Sequence, residues 1–272
     1  MVSMSATVDR LGFSLDERAR APVVWAALLA VAALAWTITV RGAVEMGNGP
    51  GTMGLGLGGF MLLWLAMMAA MMLPSVAPVG SLYLRGMRGG STRTRRALRL
   101  GGLTIGYLSA WAAVGLLAFP AAWGAERLAS EAPAAARWVG AAVLGAAGLY
   151  QLTPLKDRCL MHCRSPLGFL LRFGAYSGKL RDVRVGLYHG GYCVGCCWAL
   201  FVVLIAVGVM NLAWMGGLAV VIFLEKTWRF GKPLGIVFGI ALLVVAFFVP
   251  SHPGLVPGLH LDGGGGTMGM TP

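Results

Sequence analysis

Seven stretches of the chain, at residues 23–40, 55–73, 100–122, 138–152, 193–212, 213–228 and 234–249, are almost wholly apolar and close to the length that crosses a bilayer. A helix rises about 1.5 Å per residue, so about 30 Å of hydrocarbon takes about 20 residues, with a working range of about 17–25. Backbone polar groups cannot go unpaired in that medium, which makes such segments helices. The expectation is an all-α, polytopic transmembrane helix bundle of about seven spans. The fourth and sixth runs are short enough to be tilted, kinked or partly re-entrant. Composition agrees, at 58% hydrophobic and 12% charged residues with a mean hydropathy of +0.76, against about 25% charged in soluble domains.

A formal charge of +12 would suggest nucleic acid in a soluble protein. Here the basic residues sit in short segments between apolar runs, where they set orientation and meet anionic lipid head groups, so the lipid bilayer is the expected partner and nucleic acid is not. Nineteen of the 22 Lys and Arg fall in alternate segments, within residues 10–20, 85–99, 156–184 and 226–232, leaving Arg41, Arg127 and Arg137 for the opposite face. By the positive-inside rule the N-terminus is cytoplasmic and the C-terminus periplasmic, in a bacterial inner membrane. The chain then divides into a retained cytoplasmic N-terminal tail (1–22), a bundle (23–250) with a cytoplasmic Cys/His loop (154–192), and a flexible periplasmic tail (251–272). Within the loop, PLGFLLRFGAYSGKLRDVRVGL mixes apolar and basic residues and suits an amphipathic helix on the inner surface. Gly102 with Gly106, and Gly235 with Gly239, have the spacing that lets helices approach closely in lipid.

All five cysteines lie in or at the exit of that loop: Cys159 and Cys163 in CLMHC, then Cys193, Cys196 and Cys197 in YCVGCC. Cytoplasmic thiols stay reduced, which favours a metal over a disulfide. The second group has the i, i+3, i+4 spacing of one helix face, so its sulfurs can converge if the helix has begun by Cys193. His162 and His189 complete a set of seven soft or borderline donors, suited to Cu(I), with zinc as the alternative, and unsuited to a hard ion such as Mg(II). Packing is the plain alternative for cysteine in a membrane helix.

Methionine is concentrated in the second run. Met61, Met68 and Met72 fall within about 40° of one another around a helix and cover about 16 Å of depth, whereas Met67 lies off that line. Thioethers bind Cu(I) without carrying charge, so such a stripe suits passage of a soft ion, although methionine also fills irregular gaps between helices. The M-x-x-x-M spacing of Met67 with Met71, and of Met68 with Met72, resembles that of eukaryotic high-affinity copper uptake transporters over these few residues. Pro74 is expected to end the helix. Met46, Met53, Met210, Met215, His252, His260, Asp262, Met268 and Met270 are candidate outer donors, or simply packing and tail residues. Glu225 is the one acidic residue well inside a run, either near an ion path or paired with Arg229 at i+4. Asn211 is placed to cap a helix or act as a gate.

HGGYCVGCCWALFVVLIAVGVMNLAWM, with CLMHCRSP upstream, the pair Glu225 and Lys226, and AMMLPS at the end of the second run, resembles a bacterial family of predicted metal-binding integral membrane proteins of unknown function. The resemblance covers about residues 61–233. It implies a polytopic inner-membrane protein with a metal site at Cys159, His162, Cys163, His189, Cys193, Cys196 and Cys197.

The leading expectation is a transporter rather than an enzyme. Outer donors collect copper, Met61, Met68 and Met72 pass it inward, and the cysteines receive it, with Met71 a further candidate donor and Glu225 near the path. A metallochaperone or a periplasmic copper donor would be its partner, and homo-oligomerisation is open. No G-x-x-x-x-G-K-[ST] string supplies ATP. Two alternatives stand beside it: a thiol oxidoreductase or metal-dependent membrane enzyme built on the Cys193–Cys196 C-x-x-C pair, and an assembly protein stapled by zinc.

Overall fold

A computed structural model describes residues 15–46, 51–52, 54–85, 92–165 and 178–260. Eight helices carry these residues: α1 (Leu15–Met46), α2 (Leu57–Arg85), α3 (Arg93–Glu131), α4 (Pro133–Gln151), α5 (Pro154–Arg164), α6 (Arg181–Val207), α7 (Leu212–Thr227) and α8 (Gly231–Phe248). Two short 3-10 turns follow, Pro253–Leu255 and Pro257–Leu259. The protein is all-α among its described residues and, by the length and composition of its helices, a multi-pass membrane protein.

The number of spans differs from the sequence expectation. Among the described residues five helices are long and apolar enough to cross, or six if the bent pair α4 and α5 counts as one. The run at 213–228 forms only the 16-residue α7, because Asn211 caps its start through a bond from Trp214 N and a turn at Gly208, with φ of 97°, separates it from α6. Pro74 does not end α2, which continues through Pro74 and Pro78 to Arg85. Proline is tolerated inside membrane helices because the surrounding bundle holds the segment together, and Ser75 Oγ and Ser81 Oγ add bonds to Met72 O and Ala77 O of the same helix.

The described part of the connection expected as a loop is largely helical. Thr153 caps α5 by accepting from Lys156 N, and Pro154 begins it, so the chain bends by 62° from α4 into α5 instead of running on. α6 then starts at Arg181, twelve residues before Cys193. Much of the expected amphipathic helix, together with Met53, Asp262, Met268 and Met270, lies outside the described residues. The tail is not loose at its beginning: Val256 and Leu259 are buried, and the second 3-10 turn packs on α3, α4 and α6.

The tightest pairing in the bundle is α3 against α6. A Cβ at Gly106 would collide with the Val183 carbonyl, and one at Gly186 with the Leu103 carbonyl. At Gly190 a Cβ would stand 2.8 Å from both Tyr107 O and Ala110 Cβ. Glycine on both partners thus brings the two backbones together, as small residues do in membrane bundles. Gly239 packs in the same way on α4, where a Cβ would meet Gln151 Cβ at 2.8 Å.

Candidate metal centre

The close approach of α3 and α6 brings Tyr107 into contact with the thiol-bearing face. Cys193, Cys196 and Cys197 project from one face of α6, and their sulfurs all lie within 4.8 Å of one another. Cys196 and Cys197 Sγ are 3.3 Å apart, Cys196 Sγ also contacts Cys193 O at 3.2 Å, and all three residues are buried. The i, i+3, i+4 spacing converges because α6 is already three turns old at Cys193.

Two further helices bring sulfur to this face. Met72 of α2 places Sδ 3.9 Å from Cys193 Sγ, and Cys163 of α5 places Sγ 3.9 Å from Cys196 Sγ. All five cysteines are free thiols. The arrangement is therefore three sulfurs in one cluster with a fourth thiol and a thioether at its border, a soft donor set of the kind that selects Cu(I).

The other residues singled out in the sequence are distributed differently. Cys159 is half-buried, beside Gly195. His162 is exposed, stacked on Tyr192 with ring centroids 4.1 Å apart, and its Nδ1 lies 2.9 Å from Arg158 O. His189 is buried against the ring of Tyr107, at 5.8 Å between centroids. Met67, Met68 and Met71 are buried in the core with Met72, and Met61 is half-buried next to Gly115 and Trp64. Met210 and Met215 are buried, Met46 is partly buried, and His252 is exposed.

Between Met61 and the thiols lies an aromatic layer. Trp64 and Trp111 both meet Phe201 edge-on, at 6.0 and 4.7 Å, and Phe60 packs on Trp64 and Phe119. Trp64 is eight residues before Met72 and Phe201 four after Cys197, offsets of about 12 and 6 Å along their helices. A Trp64 Nε1 bond to Trp111 O, 3.0 Å long, ties the layer together.

Glu225 is buried, but its partner is not Arg229. Lys156 of α5 holds it at 2.6 Å and Gln151 Nε2 approaches at 3.4 Å, while Arg229 is exposed and stacks on Phe230. The sequence reading missed two residues. Lys226, counted there among the basic residues of an inner loop, is buried with Nζ 2.9 Å from Cys193 Sγ, and the Tyr107 hydroxyl is 2.8 Å from the same sulfur. A lysine directly after a buried glutamate, in an apolar run of ordinary spacing, was the available signal for the first. Nothing in the sequence marks the second.

Comparison with known proteins places this geometry in context. A family model, PpoB2, described as a copper chaperone, matches residues 61–249. No curated protein and no solved structure matches the chain.

Proposed function

This chain belongs to the copper chaperone family whose model spans residues 61–249, and from that premise we propose that it is a membrane-embedded copper carrier that holds Cu(I) on Cys193, Cys196 and Cys197. The observation that supports this most is the convergence of three buried thiols within 4.8 Å beside the Met72 thioether at 3.9 Å. A thioether is a soft donor that suits Cu(I), whereas structural zinc sites are built mostly from thiolate and imidazole.

Cys163 is the thiol through which copper is exchanged. It borders Cys196 from α5, and the next cysteine on that helix, Cys159, is half-exposed. Exchange needs no redox step: an incoming thiolate bonds to Cu(I) as a resident one leaves. A soluble thiol-bearing metallochaperone is the fitting acceptor. The Lys and Arg distribution supports a cytoplasmic position for α5 in a bacterial inner membrane. Inward carriage along Met61, Met68 and Met72 is the transport form of the same proposal, and it requires the aromatic layer of Trp64, Trp111 and Phe201 to open.

The fourth thiol, Cys163, also favours a second reading, in which four sulfurs close a zinc staple. Anaerobic metal analysis of the full-length protein in nanodiscs, with a competing Cu(I) chelator, separates the two. Bound copper that is lost in a Cys196→Ser, Cys197→Ser double variant is the expected result. Stoichiometric zinc that copper does not displace supports the staple, and metal-free turnover of a disulfide substrate supports an oxidoreductase.

A further inference from the structure

Lys226 is not needed to hold a metal, yet it sits inside the donor set. Its Nζ lies 2.9 Å from Cys193 Sγ, 3.3 Å from Ser75 Oγ and 3.8 Å from Met72 Sδ, with the residue 8% exposed. Among the described residues no carboxylate pairs with it. Glu225, one residue earlier and about 100° around α7, is joined to Lys156 at 2.6 Å, so those two charges cancel and leave Lys226 unbalanced.

A buried ammonium is costly unless a negative group meets it. The group that meets this one is Cys193, whose sulfur also faces the Tyr107 hydroxyl at 2.8 Å. Lys226 Nζ donates to that sulfur and the Tyr107 hydroxyl is able to do the same, a setting that suits a thiolate. The positive charge of Lys226 therefore belongs to the site and adds to the charge of any ion that enters it.

We propose that Lys226 determines the charge of the ion this thiol cluster accepts, favouring monovalent copper over a divalent ion such as zinc. The inference rests on the copper-holding reading of the same cysteines. A fixed positive charge repels a divalent ion in a given position twice as strongly as a monovalent one, whatever the number of thiolates that bind, and the low polarity of the surroundings magnifies the difference. Lys226 is thus a specificity-determining residue that touches a proposed ligand and acts through its charge.

The test compares wild-type, Lys226→Gln, Lys226→Leu and Lys226→Arg proteins, full-length in nanodiscs under reducing, anaerobic conditions. Association constants for Cu(I) alone and for Zn(II) alone are measured by chelator competition. The expected result is a fall of about tenfold or more in the ratio of Cu(I) to Zn(II) constants when the charge is removed, with the ratio retained in Lys226→Arg. A loss of folding alone would lower both constants together, so a parallel fall, like an unchanged ratio, overturns the role of Lys226. If Lys226→Leu does not fold, Lys226→Gln, which keeps a polar side chain of similar reach, carries the comparison. Wild-type protein that binds no Cu(I) overturns the copper-holding reading and this inference with it; wild-type protein that binds Cu(I) with a charge-independent ratio overturns this inference alone.

Discussion

His162 and Cys163 are adjacent on α5 and have opposite surroundings. The imidazole is exposed against Tyr192, and the thiol is buried 3.9 Å from Cys196. Cys163→Ser is therefore expected to weaken Cu(I) binding by about tenfold, as loss of a bordering soft ligand does, while His162→Ala leaves it at the wild-type value. Chelator competition on the two variants checks both. At this scale the sequence was legible where spacing carried the information: residues 193, 196 and 197 share a helix face whatever packs around them. It was not legible where a contact depends on a distant helix. Met72 meets Cys193 across 121 positions and Lys226 meets it across 33, and the partner of Glu225 proved to be Lys156, 69 positions away, rather than the neighbour one turn on.

Helices hold these contacts by two devices. The first is glycine at the α3–α6 crossing, where a larger side chain at Gly186 would strike the Leu103 carbonyl. Gly186→Leu is expected to separate the helices, withdraw Tyr107 from Cys193 and lower both thermal stability and copper retention, read by melting in detergent and by metal content. The second is the buried pair of Lys156 and Glu225, which pins the start of α5 to α7. Glu225→Gln leaves the ammonium without its counter-charge, at an expected cost of about 3–5 kcal/mol, and a lowered melting temperature measures it. Apolar run length revealed that such helices exist. It did not reveal that α2 would pass through two prolines, or that most of the described part of 154–192 would be helical, because proline in lipid kinks a helix that its neighbours hold together, and mixed polar sequence against a bundle resembles a loop.

Across the whole molecule the site is one-sided. Thiols border α5, and the aromatic layer separates them from Met61. Phe201 touches both Trp64 and Trp111, so Phe201→Ala is expected to admit copper from the Met61 end and raise Cu(I) accumulation in proteoliposomes above wild type. An unchanged rate would count against that layer as the barrier. Overall fold class and membrane setting follow from composition, since lipid leaves few architectures open. The number of spans did not follow, because 213–228 reads as a crossing by hydropathy while the structure closes it at 16 residues.

Gly258 seats against the backbone of Gly208, where α6 ends, with Val256 and Leu259 filling the space beside it. That segment acts as a doorstop for the far end of the thiol-bearing helix. Clipping the polypeptide after Val249 would remove it, so purification handles and reporter fusions belong beyond residue 260 or at the opposite terminus.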